Sequence, residues 1–116
     1  MGGMTDQAGR LATHRAEALR LIDALDRRLT EIMESSAYTA NDDEHDPEGV
    51  TIAFERAQVA GLLKQARAEL RALDAATERL ATGTYGTCIR CGHPIAAERL
   101  DALPAATTCI QCARRR

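Results

Sequence analysis

The 116-residue chain has no tryptophan, one phenylalanine and two tyrosines. That shortage argues against a thick globular core, since aromatic side chains supply much of the buried bulk of such interiors. Lysine is nearly absent too: Lys64 is the only one, and arginine carries the rest of the basic charge. No apolar run approaches the roughly 18–20 residues that a membrane-spanning helix needs. The opening MGGMTDQ lacks a positive segment followed by an apolar one, so no secretory signal is expected. Gly2 is followed by Asp6 where a lipidation motif wants Ser or Thr. A formal net charge of −2 gives no overall attraction to nucleic acid or membrane. The expectation is a soluble, cytoplasmic protein of one modest domain's length.

What the chain does have is alanine, charge and period. Apolar residues make up 45% and charged residues 28%, a composition that suits helices packed on a narrow seam. Residues 5–38 read as one helix, with Leu11, Ala18, Ile22, Leu25, Leu29 and Ile32 spaced by sevens, fours and threes. Glu17, Asp23, Arg27 and Glu31 offer i,i+4 partners on the other faces. No Pro or Gly interrupts the stretch from Arg10 to Ala40.

A polar, acidic stretch, SSAYTANDDEHDPEG, breaks the pattern. Asp46-Pro47-Glu48 is a good helix start, with Asp as cap and Pro at the first helical position. A second helix is expected from about Pro47 to Thr82, on a seam of Ile52, Val59, Leu63, Ala66, Leu70, Leu73, Thr77 and Leu80. The small residues Ala57, Ala60 and Gly61 are expected to let the two helices approach closely. Gly83 supplies a helix stop. Each helix would be roughly 50 Å long at 1.5 Å per residue. The short break makes an antiparallel hairpin the simplest arrangement, with an intermolecular coiled coil as the alternative. The fold class expected is therefore mostly α. Residues 1–82 form the hairpin, with an acidic tip at 39–49. Residues 83–116 form a small four-cysteine module with a short C-terminal helix.

That last stretch holds all four cysteines, five arginines and two of the three prolines. It is too short to bury a core unaided. Cys88-x2-Cys91, seventeen residues, then Cys109-x2-Cys112 is the spacing of a four-cysteine zinc site, each pair gripping one side of a tetrahedron. In a reducing compartment such pairs are metal ligands or redox groups rather than disulfides. A redox dithiol lacks its usual βαβ context and leaves the second pair unexplained. One structural Zn²⁺, bound as thiolates, is expected, contributing on the order of 10 kcal/mol. Four protein ligands leave no open position for catalysis. Gly92 sits where a turn around the metal needs positive φ. His93 is weighed as a substitute ligand against a surface residue of the metal loop. Arg90, Arg99 and Arg114–Arg116 are expected to offset the −2 charge of the loaded site.

With the cysteines structural, the acidic bend is the place to look for function. Asp42, Asp43, Glu44, Asp46 and Glu48 lie within seven residues. Carboxylates there repel phosphates and attract basic surfaces or hard divalent cations. The plainer readings are a cap for Asp46 and solvation of the bend for the others. A twelve-residue calcium loop is excluded by its missing ligand register.

Residues 80–113, LATGTYGTCIRCGHPIAAERLDALPAATTCIQCA, closely resemble the C-terminal zinc finger of DksA/TraR-type bacterial transcription factors. The resemblance runs through GTYG, CxxCG, Ile95, Arg99-Leu100, Ala102, Pro104 and the final CxxCA. DPEGVTIAFERAQ, 46–58, looks like the start of the second coiled-coil helix in that family. The resemblance implies a regulator, not an enzyme, that binds RNA polymerase rather than promoter DNA. Its coiled coil would enter the secondary channel, with Asp42, Asp43, Asp46 and Glu48 as the partner-facing tip near the catalytic Mg²⁺. A monomer is expected, with no membrane partner and no sequence-specific DNA binding. The family's tip has Asp, two residues, then commonly Asp or Ala. Counted from Asp46 the fourth position is Gly49, and counted back from the cysteines it is Glu48. Two rival functions stay open: an adaptor protein using the helical seams, and a direct DNA binder using the zinc module and Arg114–Arg116. No nucleophile with a base, and no phosphate loop, points to an enzyme.

Overall fold

A computed structural model of the protein describes residues 4–39 and 47–115, with side chains described over 6–35 and 49–115. Two long helices come first, α1 (Met4–Thr39) and α2 (Pro47–Thr82). Two short ones follow, α3 (Ala97–Ala102) and α4 (Ile110–Arg114). No strand occurs among the described residues, only an isolated antiparallel bridge between Thr87 and Pro94. The fold is mostly helical, a long hairpin followed by a four-cysteine module, as the seam and the cysteine spacing predict. The first helix is one residue longer at each end than expected, and the second has the expected bounds.

The described residues divide into two compact units. One holds Ala18–Ala68; the other joins α1 up to Glu17 with Glu69 and all that follows. In the Ala18–Ala68 unit the buried residues are Ala18, Ile32, Val59, Leu63 and Ala66. Ile22, Leu25, Leu29 and Ile52 are half-buried beside them. Ion pairs flank this seam: Arg67 meets Asp26 at 3.1 Å, and Arg28 meets Glu55. Position 26 of α1 pairs with 67 of α2 while 28 pairs with 55, so the helices run antiparallel.

The small residues Ala57, Ala60 and Gly61 do not serve the packing expected of them. All three are exposed, and a Cβ placed on Gly61 would meet nothing within 4 Å. The seam of α2 passes through Val59, Leu63 and Ala66, which leaves 57, 60 and 61 on another face.

In the other unit Leu11, Leu73, Ala76 and Leu80 are buried. Ala76 is fully buried and Thr77 is exposed, a one-residue difference from the predicted seam. Both choices fit the spacing between Leu73 and Leu80. Alanine carries no polar group to bury, whereas the Thr77 hydroxyl donates 2.9 Å to the Leu73 carbonyl and stays with the helix backbone. Arg15 pairs with Asp74 at 2.7 Å beside this seam.

Candidate metal centre

The second long helix ends where Gly83 adopts φ 85°. The Thr84 N–H donates 2.9 Å to the Arg79 carbonyl, and the Gly83 N–H 3.4 Å to that of Leu80. Those two bonds form a Schellman motif, which satisfies carbonyls the last turn would leave unpaired. The chain then reverses through Gly86 (φ 83°), and the Ile95 N–H returns to the Gly86 carbonyl at 2.7 Å. Between them lies the first metal loop. The Cys88 N–H donates to His93 and the Gly92 N–H donates to Cys88, both at 2.9 Å. Gly92 has φ 77°, the left-handed turn expected after the first cysteine pair. The second pair sits at the start of α4, with Cys109 immediately before its first residue.

Three of the cysteines, Cys88, Cys109 and Cys112, are buried; Cys91 is exposed. Their Sγ atoms all lie within 4.8 Å of one another. The separation between Cys91 and Cys109 is 3.8 Å. A tetrahedron with Zn–S bonds of about 2.3 Å has edges of about 3.8 Å, so the sulfurs already stand at ligand spacing. Four thiols this close without a metal could only repel one another as thiolates.

Their titration shows that tension. Burial pushes the Cys88 thiol up, but the backbone N–H groups of Cys109, Cys91 and Arg90 outweigh it and bring Cys88 down to about 6. Cys109 is lowered mainly by the N–H of Cys112, against burial. Cys112 is pushed up to about 12, first by its hydrogen bond with the Cys109 sulfur and then by burial. One end of the cluster is ready to bind a cation, and the other gives up its proton only when the cation arrives.

Around the cysteines lies a very small core. Ile95 and Leu100 are buried with Cys88, Cys109 and Cys112, and Tyr85 and Ala106 pack against them. Three side chains close the module by binding backbone carbonyls. The Tyr85 hydroxyl donates to Pro104 at 2.8 Å, Arg99 Nε to Thr108 at 2.9 Å, and Arg90 to Cys112 at 3.2 Å and Arg115 at 3.4 Å. Arg90 and Arg99 thus tie loops together, a task that the expectation of charge compensation did not include. No local pattern signals bonds across 9 to 25 residues. His93 is exposed and contributes its carbonyl, while the sulfur cluster is complete without its ring.

Of the expected tip, Asp42, Asp43 and Asp46 lie outside the described residues, as does Glu44. Glu48 lies in α2, and its side chain is outside them.

Residues 83–116 match the family described as the prokaryotic dksA/traR C4-type zinc finger. The chain carries a DksA/TraR-type finger. Four cysteines placed for one metal ion, in a family defined by a four-cysteine zinc site, make the cofactor one structural Zn²⁺. Similarity extends beyond the finger. An uncharacterized protein of Aquifex aeolicus is 48% identical over 46 residues, 40% of this chain and 32% of the relative. The uncharacterized protein YteA of Bacillus subtilis is 39% identical over 75 residues, 65% of this chain and 30% of the relative. The chain spans about a third of the length of these curated relatives. Among solved structures, that of the transcription factor DksA2 from Pseudomonas aeruginosa matches with TM-score 0.54 and 28% identity. The match covers 92% of this chain and 82% of that one. It takes in the long helices as well as the DksA/TraR-type finger. No described helix is long and apolar enough to cross a membrane.

Proposed function

We propose that this protein is a DksA-type transcription regulator that binds RNA polymerase through the secondary channel. The hairpin of residues 1–82 enters, with Asp42, Asp43, Asp46 and Glu48 directed toward the active site. The zinc module of residues 83–116 forms the base. One observation carries the reading: the likeness to the transcription factor DksA2 extends over 92% of the chain, so it includes the hairpin and not the finger alone. The chemistry agrees. Five carboxylates between Asp42 and Glu48 suit a site that holds divalent cations and repel the DNA backbone. The saturated sulfur set leaves the metal no reactive position, so the finger is a support and the action lies with the polymerase.

The test is equilibrium binding of the zinc-loaded protein to bacterial core RNA polymerase, with Asp46→Asn beside it. Expected are saturable binding, competition with another secondary-channel protein, and an Asp46→Asn variant that binds but loses its effect on transcription. Absence of binding at micromolar concentration would overturn the reading. An unchanged transcriptional effect in the variant would remove Asp46 from the mechanism.

A further inference from the structure

Beside α2 lies a hollow of about 300 Å³, whose lining includes Glu69, Ala72, Arg99, Leu103, Thr107 and Thr108. All its lining residues belong to the unit that joins the start of α1 with Glu69 and all that follows. One turn of α2, the short helix α3 and the loop after it form the hollow together. Small-ligand sites combine apolar surface with a few convergent polar groups, and this lining has that mixture. Ala72 and Leu103 supply the apolar part, and Leu103 is 51% exposed, a large side chain set outside the module's core. The Thr107 and Thr108 hydroxyls have no partner among the described residues.

Two opposite charges line this hollow without pairing with each other. Arg99 is held in place, since its Nε donates 2.9 Å to the Thr108 carbonyl, but its terminal nitrogens have no partner among the described residues. Glu69 likewise has no ion pair or hydrogen bond among them. Elsewhere in the same unit opposite charges do meet: Arg10 pairs with Asp101 at 3.1 Å and Arg15 with Asp74 at 2.7 Å. The unpaired set narrows the choice of ligand. A polyphosphate would meet one cation and one carboxylate of its own sign, so charge gives it no net attraction. A metal ion finds one carboxylate where hard cations take about six to eight oxygens. A simple amine leaves Arg99 unmet, and a simple acid leaves Glu69 unmet. A molecule that bears both charges close together satisfies both.

We infer that the hollow binds a free amino acid with an aliphatic side chain. Its carboxylate meets the Arg99 guanidinium, its ammonium meets Glu69, and its side chain lies against Ala72 and Leu103. Both polar contacts are charge-assisted hydrogen bonds, stronger than neutral ones. The bond from Arg99 to Thr108 fixes the guanidinium in advance, so less freedom is lost when the ligand arrives. Thr108 directly precedes Cys109, so an occupied hollow braces the loop that carries the second cysteine pair. The inference goes beyond the polymerase reading and does not depend on it.

The experiment titrates the full zinc-loaded chain with each of the common amino acids and follows the backbone amides by NMR. Expected is saturable binding of leucine, isoleucine or valine, with the largest shifts at Leu103, Thr107 and Thr108. The best binder is then compared with its amide, which lacks the carboxylate, with its deaminated acid, which lacks the ammonium, and with inorganic pyrophosphate. The amide and the acid each lose a hydrogen bond between charged groups and are expected to bind about tenfold more weakly or worse. Pyrophosphate is expected to bind more weakly than the amino acid. Glu69→Gln keeps the shape of the side chain and removes its charge, and is expected to weaken amino-acid binding about tenfold. Ala72→Phe, which fills the hollow, is expected to abolish it. The control Glu78→Gln changes an exposed carboxylate of the same helix outside the lining and is expected to bind as the wild type does. Thermal melts establish that each variant is folded. No saturable binding by any common amino acid, a best binder with a charged side chain, equal binding of the amide or the acid, tighter binding of pyrophosphate, or undiminished binding by Glu69→Gln would overturn the inference.

Discussion

The hairpin and the zinc module are held together by different means. The hairpin spreads its stability over a long, thin seam in which each residue contributes a little. The module concentrates it at one point: two aliphatic residues, three buried sulfurs and a metal take the place of a core. Damage should therefore be graded in the first region and abrupt in the second. Removing zinc gives the largest effect, because metal binding at such sites contributes on the order of 10 kcal/mol. Cys112→Ser, or a strong chelator, should unfold residues 83–116 while circular dichroism keeps most of the helical signal. Loss of the entire helical signal at the same chelator concentration would show that the two regions fold as one.

Acid should act on the same point. Loading requires all four thiolates, and Cys112 holds its proton up to about 12 in the metal-free cluster. Zinc uptake near neutral pH therefore expels at least that proton. Zinc affinity should rise about tenfold or more per pH unit through neutrality. Cys88, lowered to about 6, contributes in the thiolate form above its usual value and loses that contribution as pH falls through 6. Release of zinc to a colorimetric chelator should accelerate as pH falls, because protons compete with the metal for the thiolates. A pH-independent release rate would count against thiolate ligation.

In the seam the expected losses are smaller. Leu73 is 1% exposed, and truncating such a residue costs about 2–5 kcal/mol. Leu73→Ala should shift the urea midpoint of the helical signal, whereas Thr77→Ala should change it little, because Thr77 faces out. A larger effect at Thr77 would restore the seam that the spacing alone predicts. The sequence makes the seam's existence and direction legible, through apolar spacings of three and four. It does not separate Ala76 from Thr77, since both lie within one step of the period. The exposed face at Ala57, Ala60 and Gly61 is hidden for another reason: small residues are compatible with close packing and with none. In the module the four ligands are legible because a tetrahedral metal dictates their spacing. The clamps by Tyr85, Arg90 and Arg99 are not, since they depend on how the loops close in space.

Smaller again is the effect of backbone shape. Gly86 has φ 83°, and a Cβ there would stand 3.4 Å from Leu100 Cδ1. Gly92 has φ 77° with no such neighbour. Left-handed backbone costs a non-glycine residue roughly 1–2 kcal/mol, so both alanine substitutions should lower zinc affinity about tenfold. Gly86→Ala carries the added contact with the core and should be the worse of the two. Equal zinc affinities would mean that Leu100 gives way without penalty.

The smallest effect tests whether helix and finger can be compared as separate regions at all. Arg10 of α1 reaches Asp101 of α3 at 3.1 Å, with side chains 29% and 62% exposed. Exposed pairs of this kind contribute about 0–1 kcal/mol, less as salt rises. A double-mutant cycle on Arg10→Ala and Asp101→Ala should return a coupling within that range. Tyr85 is a local reporter for the same contact. Burial raises its phenol above 10, Arg10 and Arg79 pull it down, and Asp101 pushes it up. Arg10→Ala should therefore raise the phenol's titration further and Asp101→Ala should lower it, as read by ultraviolet difference spectroscopy. A raised phenol favours the neutral form, so its contribution to stability holds below pH 10 and is lost as pH climbs past it. A coupling well above 1 kcal/mol that survives high salt would mean that α1 is fastened to the finger. Zinc removal would then reach the hairpin through Arg10, and the contrast between graded and abrupt damage would narrow to the Ala18–Ala68 unit alone.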